Sequence, residues 1–122
     1  MAEISIPCRK FILSSSQIYA MLIYSVTIMI EKDIEADWLR WMQEVHVPDV
    51  MRTGYFSESN FHQLLEPEPE PGTSTYNIQY TCIHEDAYQQ YLQTDGNRLR
   101  QEVADRYGNR FVAFRTLLRR FS

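Results

Sequence analysis

The stretch "LIYSVTIMI", residues 22–30, decides the fold. Most of its residues are β-branched or aromatic, and apolar side chains alternate with polar ones. A period of two in a segment of this composition predicts a β-strand. The two faces of the predicted strand carry Tyr24, Val26, Ile28 and Ile30 on one side and Ser25 and Thr27 on the other.

The same segment ends a stretch of twenty residues, 11–30, that carries no charge. About 20 apolar residues can span a bilayer, but residues 14–17 form a polar block near the start of this stretch. The apolar run before that block, residues 11–13, is shorter than the roughly 7–15 apolar residues of a signal peptide. We therefore predict no membrane segment, a poorly patterned N-terminal extension over residues 1–20, and a single domain over residues 21–122.

The remaining segments follow the strand in a regular order. An amphipathic pattern predicts a helix, two strands joined as a hairpin follow it, and a second helical region precedes a last strand. These elements are predicted at residues 31–47, 54–65, 75–83, 84–109 and 110–118. The order βαββαβ predicts an α+β, ferredoxin-like fold, in which both helices cover one face of a four-stranded antiparallel sheet.

Local signals suggest where the helices begin and end. Asp33 can cap the first helix, and Pro48 is expected to end it. Asp95 and Gly96 are expected to break the second helical region into two pieces, and Gly108 suits the position just after a helix.

Composition excludes some functions. The chain has 122 residues, 44% of them hydrophobic, and a net charge of −4, which argues against a general nucleic-acid binder. Charge is uneven, because residues 96–122 hold seven arginines against Glu102 and Asp105. This asymmetry suits either a basic patch for an anionic ligand or a solvated face, and we favour the solvated face. Cys8 and Cys82 lie far apart, so no disulfide or metal framework is predicted, and a cytoplasmic location fits best.

The second face of the sheet has no helix to cover it. If Val112, Phe114 and Thr116 face the helices, then Phe111, Ala113, Arg115 and Leu117 lie on this open face. The face is mixed in polarity, because β-strand residues such as Ser25 and Thr27 also lie on it. Two copies stacked through it would close a dimeric α/β barrel, so we predict a homodimer.

Several short motifs resemble a known family. They are W-x-x-W-M at residues 38–42, H-x-P-D at residues 46–49, G-Y-F at residues 54–56 and F-R-T at residues 114–116. Over residues 21–121 the chain resembles a family of small bacterial proteins of unknown function. That family is placed in the dimeric α/β-barrel superfamily, together with antibiotic-biosynthesis-monooxygenase-like proteins.

The resemblance implies two activities for comparison. Some superfamily relatives oxidise polyphenols without a cofactor, and others degrade haem with an Asn, a Trp and a His. The Asn of that trio lies on the first strand, where this chain has Tyr24 and Ser25. This departure argues against haem chemistry, and we expect no cofactor.

The candidate site residues are Trp38, Trp41, Met42, His46 and Arg115. The tryptophans either pack in the core or line a cleft between helix and sheet. His46 either caps the end of the helix as a charged imidazole or serves as a ligand contact or general base. Arg115 either pairs with a partner such as Glu58, Asn77 or Gln79 on the open face, or anchors an anionic ligand. The other two histidines, His62 and His84, are expected to be exposed, and no metal site is predicted.

We interpret the chain as a homodimer that binds a small apolar or aromatic molecule between the first helix and the sheet. One alternative is a cofactor-independent oxygenase-like enzyme, with His46 as proton acceptor and the two tryptophans as pocket walls. Another is a protein–protein interaction module, which would use the dimer surface or the arginine-rich C-terminal end.

Overall fold

The sheet consists of four strands: β1 (Met21–Glu31), β2 (Phe56–Leu64), β3 (Thr73–Cys82) and β4 (Phe111–Arg120). All neighbours are antiparallel, in the order β2-β3-β1-β4, so the β1 strand lies inside the sheet. The computed structural model describes residues 21–121. The predicted strand at residues 22–30 and the predicted ferredoxin-like α+β fold are confirmed.

Two helical units, residues 35–52 and 87–107, cover one face of the sheet. The first consists of α1 (Glu35–Trp41), a π-turn (Met42–His46) and α2 (Val47–Arg52). The second consists of α3 (Ala87–Tyr91), a π-turn (Leu92–Gly96) and α4 (Asn97–Tyr107). A short 3-10 turn, Lys32–Ile34, connects β1 to the first unit.

The π-turns correct two predicted helix ends. Pro48 does not end the first unit, which continues to Arg52. The backbone N–H of Val47 bonds to the carbonyl of Met42, five residues back, so the hydrogen-bond ladder shifts before the proline. Pro48 then lies in the first turn of α2, where a missing N–H costs little. Likewise, Asp95 and Gly96 do not break the second unit, because they lie inside its π-turn.

The pairing register corrects the predicted orientation of β4. Tyr24 pairs with Leu117, and Val26 pairs with Arg115. Residues directly opposite each other in antiparallel strands share a face, so Arg115 lies on the helix side of the sheet. The conditional assignment of Arg115 to the open face was therefore wrong, and so were its proposed partners there.

The core lies between the sheet and the helical units. Its aromatic centre is formed by Tyr24, Phe56, Tyr80 and Tyr91, with ring centroids 5.1–6.0 Å apart. A second aromatic group, Trp38 with Phe61 and Tyr76, packs beside the β2–β3 hairpin. The apolar face predicted for β1 is buried in this core.

The open face is polar in the middle and apolar along β4. At its centre, the Asn77 side-chain amide donates hydrogen bonds to the hydroxyl groups of Ser25 (2.9 Å) and Thr27 (3.0 Å). Along β4, Val112 is 61% exposed, Phe114 is 56% exposed and Leu118 is 41% exposed. Val112, Phe114 and Leu118 form an exposed row, the β4 apolar row.

The prediction for residues 1–20 falls outside the described part of the chain and stays a prediction. Within residues 21–121, none of the helices is long and apolar enough to cross a membrane.

Candidate functional site

A cavity lies between the first helical unit, the second helical unit and the helix side of β1 and β4. Its space is about 30 Å³, room for about two water molecules. The polar members of its wall are two arginines, one histidine and three tyrosines, and the rest are apolar. They are Tyr24, Val26, Ile28, Met42, His46, Val50, Ile78, Tyr80, Tyr91, Arg100, Val103, Phe111, Ala113 and Arg115.

The first π-turn places two of the predicted site residues on this cavity. Met42 and His46 are its first and last residues, and both line the wall. A π-turn widens the helix by one residue and often occurs at functional sites. Because the helix continues to Arg52, His46 does not cap a helix end, and the capping interpretation was wrong.

The His46 imidazole is held neutral. Its pKa is lowered to about 4, mainly by burial; the carboxylate of Asp49 acts to raise the pKa, and the positive charge of Arg115 acts to lower it. Trp41 stacks on the ring, with centroids 5.5 Å apart. The Nδ1 atom is buried and has no hydrogen-bond partner within residues 21–121. A neutral imidazole with a free nitrogen can accept or donate one hydrogen bond to a bound molecule.

Arg115 reaches the cavity from the middle of β4. Its Nε atom donates a hydrogen bond to the hydroxyl oxygen of Tyr24 at 3.1 Å. The Arg115 side chain is exposed, so it lies at the solvent side of the cavity. Leu117, two residues further along the same face of β4, is 44% exposed and adds apolar surface beside it.

Arg100 is the second arginine of the wall and was not among the predicted site residues. Its Nε atom is buried and lacks a hydrogen-bond partner among the described residues. A signal was present, because Gly96, Arg100, Val103 and Tyr107 follow the 4-3-4 spacing of one helix face. A charged residue at a position of that stripe predicts a side chain that lies partly against the core.

Two tyrosines of the wall, Tyr80 and Tyr91, stay protonated at neutral pH. Burial is the main cause that raises the pKa of Tyr80 and of Tyr91. Arg100 and Arg115 both act to lower the pKa of Tyr91, so both positive charges contribute to the electrostatic potential in the cavity. The wall therefore offers neutral hydroxyl groups beside two cations.

The two predicted tryptophans do not line the cavity. Trp38 is fully buried and packs between Phe61 and Tyr76, so it belongs to the core. Trp41 lies behind His46, where it also meets the guanidinium of Arg106 at 5.3 Å and the ring of Tyr107 at 5.6 Å. It can position the imidazole without contacting a ligand.

The open face has a larger concavity of about 210 Å³. It is formed where the proline-rich loop after β2 approaches the β4 apolar row. Residues lining it include Thr27, Met29, Leu64, Pro67, Val112 and Phe114. Within residues 21–121, no group of three or more His, Cys, Asp or Glu side chains is placed to hold a metal ion.

The fold and the cavity define an α+β ferredoxin-like protein with a small, mainly apolar cavity at its helix–sheet interface, which also holds arginine, histidine and tyrosine side chains. The chain matches the family described as "Domain of unknown function (DUF4286)" over residues 21–121, and it belongs to that family. This confirms the resemblance to a family without an assigned function. A search of the curated proteins finds no match to the sequence.

Solved structures share the fold at low sequence identity. An ethyl tert-butyl ether d (EthD) family protein from Bacillus halodurans is 11% identical, with a TM-score of 0.60, covering 79% of this chain and 97% of that one. A dimeric ferredoxin-like protein from an uncultured marine organism is 9% identical, with a TM-score of 0.50 and coverages of 84% and 97%. The de novo designed protein Foldit4 is 9% identical, with a TM-score of 0.57 and coverages of 80% and 96%. Since a designed protein shares the fold, the fold alone does not define a function.

Proposed function

We propose that this protein binds a small molecule in the cavity between the helical units and the sheet. The observation that supports this most directly is a pair of buried nitrogen atoms, Nδ1 of His46 and Nε of Arg100, that have no partner within residues 21–121. Buried polar groups are almost always hydrogen-bonded, so such atoms call for a water molecule or a ligand. Both residues line the same cavity, among apolar side chains.

The size of the cavity restricts the ligand. A space of about 30 Å³ holds a small polar group, whereas an aromatic ring needs the wall to move. Met42 is the wall residue best able to move, because its unbranched side chain changes rotamer easily. Alternatively, the apolar part of the ligand lies outside, against Leu117 beside the exposed Arg115.

A matched set of probes tests this proposal: benzyl alcohol, benzylamine and benzoate share one ring and differ in charge. The Met42 methyl resonance in a 13C NMR spectrum should shift saturably with at least one of them. Ala113→Leu fills the cavity from β4 and should abolish the shift, while Ala104→Leu on α4, outside the cavity wall, should not. If none of the probes shifts the Met42 signal, the protein has no small-molecule function at this cavity.

We also propose that the protein acts as a homodimer through its open sheet face. The β4 apolar row supports this proposal, because an exposed apolar strand face on a soluble protein commonly marks an interface. The fold is shared with a protein whose solved structure is described as dimeric. Stacking of two such sheets would also bury the open-face concavity beside Phe114.

A second candidate function is a cofactor-independent, oxygenase-like enzyme. The position of His46 favours it, because this residue lines the cavity and its Nδ1 atom has no partner within residues 21–121 that would compete for a substrate proton. Oxidation of a quinol-type substrate by dissolved oxygen, followed with an oxygen electrode, tests this function. His46→Ala should lower the rate at least about tenfold, and equal rates in the two proteins would exclude His46 as the base.

A further inference from the structure

Two arginines without carboxylate partners meet on one cavity. Within residues 21–121, six arginines form ion pairs with Asp or Glu, and Arg100 and Arg115 do not. The third arginine without such a pair is Arg120, at the exposed end of β4. No Asp or Glu side chain belongs to the cavity wall. Two of the three arginines without an ion pair in residues 21–121 therefore lie at this site.

An arrangement of this kind is unfavourable while it is empty. Leaving the Nε atom of Arg100 buried without a partner costs free energy, and the cationic Arg115 on the same cavity offers it no acceptor. His46 cannot compensate, because it is neutral or positive at any pH. Asp49 is the acidic residue that acts on the pKa of His46. Its carboxylate already forms an ion pair with Arg52, with 2.5 Å between oxygen and nitrogen. An anion in the cavity would accept a hydrogen bond from the unpaired nitrogen of Arg100 and carry the charge that complements both arginines.

We propose that the cavity binds the carboxylate group of a small monoanionic molecule, between Arg100 and Arg115. This inference rests on the proposed ligand-binding function and specifies its ligand. A guanidinium is planar and matches the two oxygens of a carboxylate. The space of about 30 Å³ has room for a group as small as a carboxylate.

Neutral groups around the cavity complete the recognition. The Tyr24 hydroxyl accepts a hydrogen bond from Arg115, so its own proton remains available to donate to a ligand oxygen. His46 can donate through its free nitrogen in one tautomer. The apolar remainder of the ligand then lies toward the solvent side, where Arg115 and Leu117 are exposed.

The charge series of probes tests the inference at constant ionic strength. Benzoate should bind at least about tenfold tighter than benzyl alcohol, and benzylamine should bind weakest, because a charge-assisted hydrogen bond contributes about that factor. The 15Nε resonances of Arg100 and Arg115 should shift saturably with benzoate. Arg100→Gln and Arg115→Gln should each weaken benzoate about tenfold or more, with little effect on benzyl alcohol.

Matched variants keep the result interpretable if a glutamine variant unfolds. Arg98→Gln, which removes an exposed arginine of the same α4 helix, should leave benzoate affinity unchanged. Arg100→Lys keeps the charge and should retain part of the affinity that Arg100→Gln loses.

The outcomes separate the two proposals. If benzyl alcohol binds the cavity as tightly as benzoate, small-molecule binding stands and the carboxylate assignment is overturned. The assignment is also overturned if inorganic phosphate binds more tightly than benzoate, or if Arg98→Gln weakens benzoate as much as Arg100→Gln does. If none of the probes binds, both the function and the inference fail.

Discussion

The Trp41 indole stacks on the His46 imidazole, with ring centroids 5.5 Å apart and ring planes 24° apart. The two residues lie on either side of the junction between α1 and the first π-turn. The stack covers the imidazole on one side while the cavity lies on another, so most of the ring is shielded from water. This environment explains why burial is the largest cause that lowers its pKa.

The first prediction concerns stability in acid. The pKa of His46 is about 4 in the folded protein, compared with 6.5 as its ordinary value. The unfolded chain therefore binds a proton at this site between those pH values and the folded chain does not. Stability should fall by about 3 kcal/mol as the pH is lowered through this window. A charged histidine that caps a helix end would have a raised pKa in the folded protein, and stability would then increase as the pH is lowered.

Urea unfolding at several pH values between 7.5 and 4 measures this effect. His46→Gln should remove the contribution, so the difference in unfolding free energy between wild type and variant should change with pH. His84→Gln, at an exposed histidine, is the matched control and should run parallel to the wild type. Parallel curves for His46→Gln would contradict the buried, neutral imidazole.

The second prediction concerns self-association through the open face. Phe114 is 56% exposed in the middle of the β4 apolar row. Phe114→Glu should place a charge in the proposed interface and leave the protein monomeric, since an unpaired charge in an apolar contact is costly. Light scattering coupled to gel filtration measures the mass directly.

A helix-surface variant serves as the control for self-association. Val45 is 39% exposed in the first helical unit, away from the open face, so Val45→Glu should leave the mass unchanged. A wild-type protein that is monomeric at micromolar concentration would refute the homodimer. In that case we would expect a different protein to bind the β4 apolar row.

The third prediction concerns Pro48. Because the π-turn shifts the hydrogen-bond ladder ahead of this proline, Pro48 is not strained. Pro48→Ala should change the free energy of unfolding by less than about 1 kcal/mol, measured by urea denaturation. Ala104→Pro, in the uninterrupted α4 helix, should cost about 3 kcal/mol or more. A large stabilisation by Pro48→Ala would show that the proline interrupts the helix after all.

The fourth prediction concerns the end of α4. Gly108 has φ +60° and ψ −127°, a conformation that other residues rarely adopt, and its N–H bonds to the Ala104 carbonyl at 2.8 Å. A Cβ atom there would meet nothing within 4 Å, so Gly108→Ala changes the backbone energy alone. It should destabilise the fold by about 1–3 kcal/mol in thermal or urea unfolding. Asn109→Ala next to it should cost less than about 0.5 kcal/mol, and equal losses would refute the backbone explanation.

The sequence identified much of the fold because local signals agreed with the tertiary structure. β1 alternates cleanly, so its buried face could be assigned from residues such as Val26 and Ile28. Gly108 was also correctly assigned to the position after a helix. Pro48 was misleading, because the rule that proline ends a helix assumes an unbroken i→i−4 ladder, and the π-turn changes that ladder.

The candidate site could be predicted in part. Met42 and His46 were predicted as site residues, because they share the apolar side of a helix with clear periodicity. Both line the cavity. Trp38 and Trp41 share that side too, but packing places one in the core and the other behind His46. Arg100 was missed, because an arginine on a helix is usually assigned to the solvated surface.

The sequence by itself determined the element order and the buried face of β1, because alternation and composition are properties of a single segment. The tertiary structure alone decided which side of the sheet Arg115 occupies. Residues 111–114 are all apolar, so the two faces of β4 cannot be told apart by their polarity. The register of β4 against β1 decides which face turns toward the helices. That register brings Arg115 to Tyr24, and the packing of α4 brings Arg100 to the same cavity.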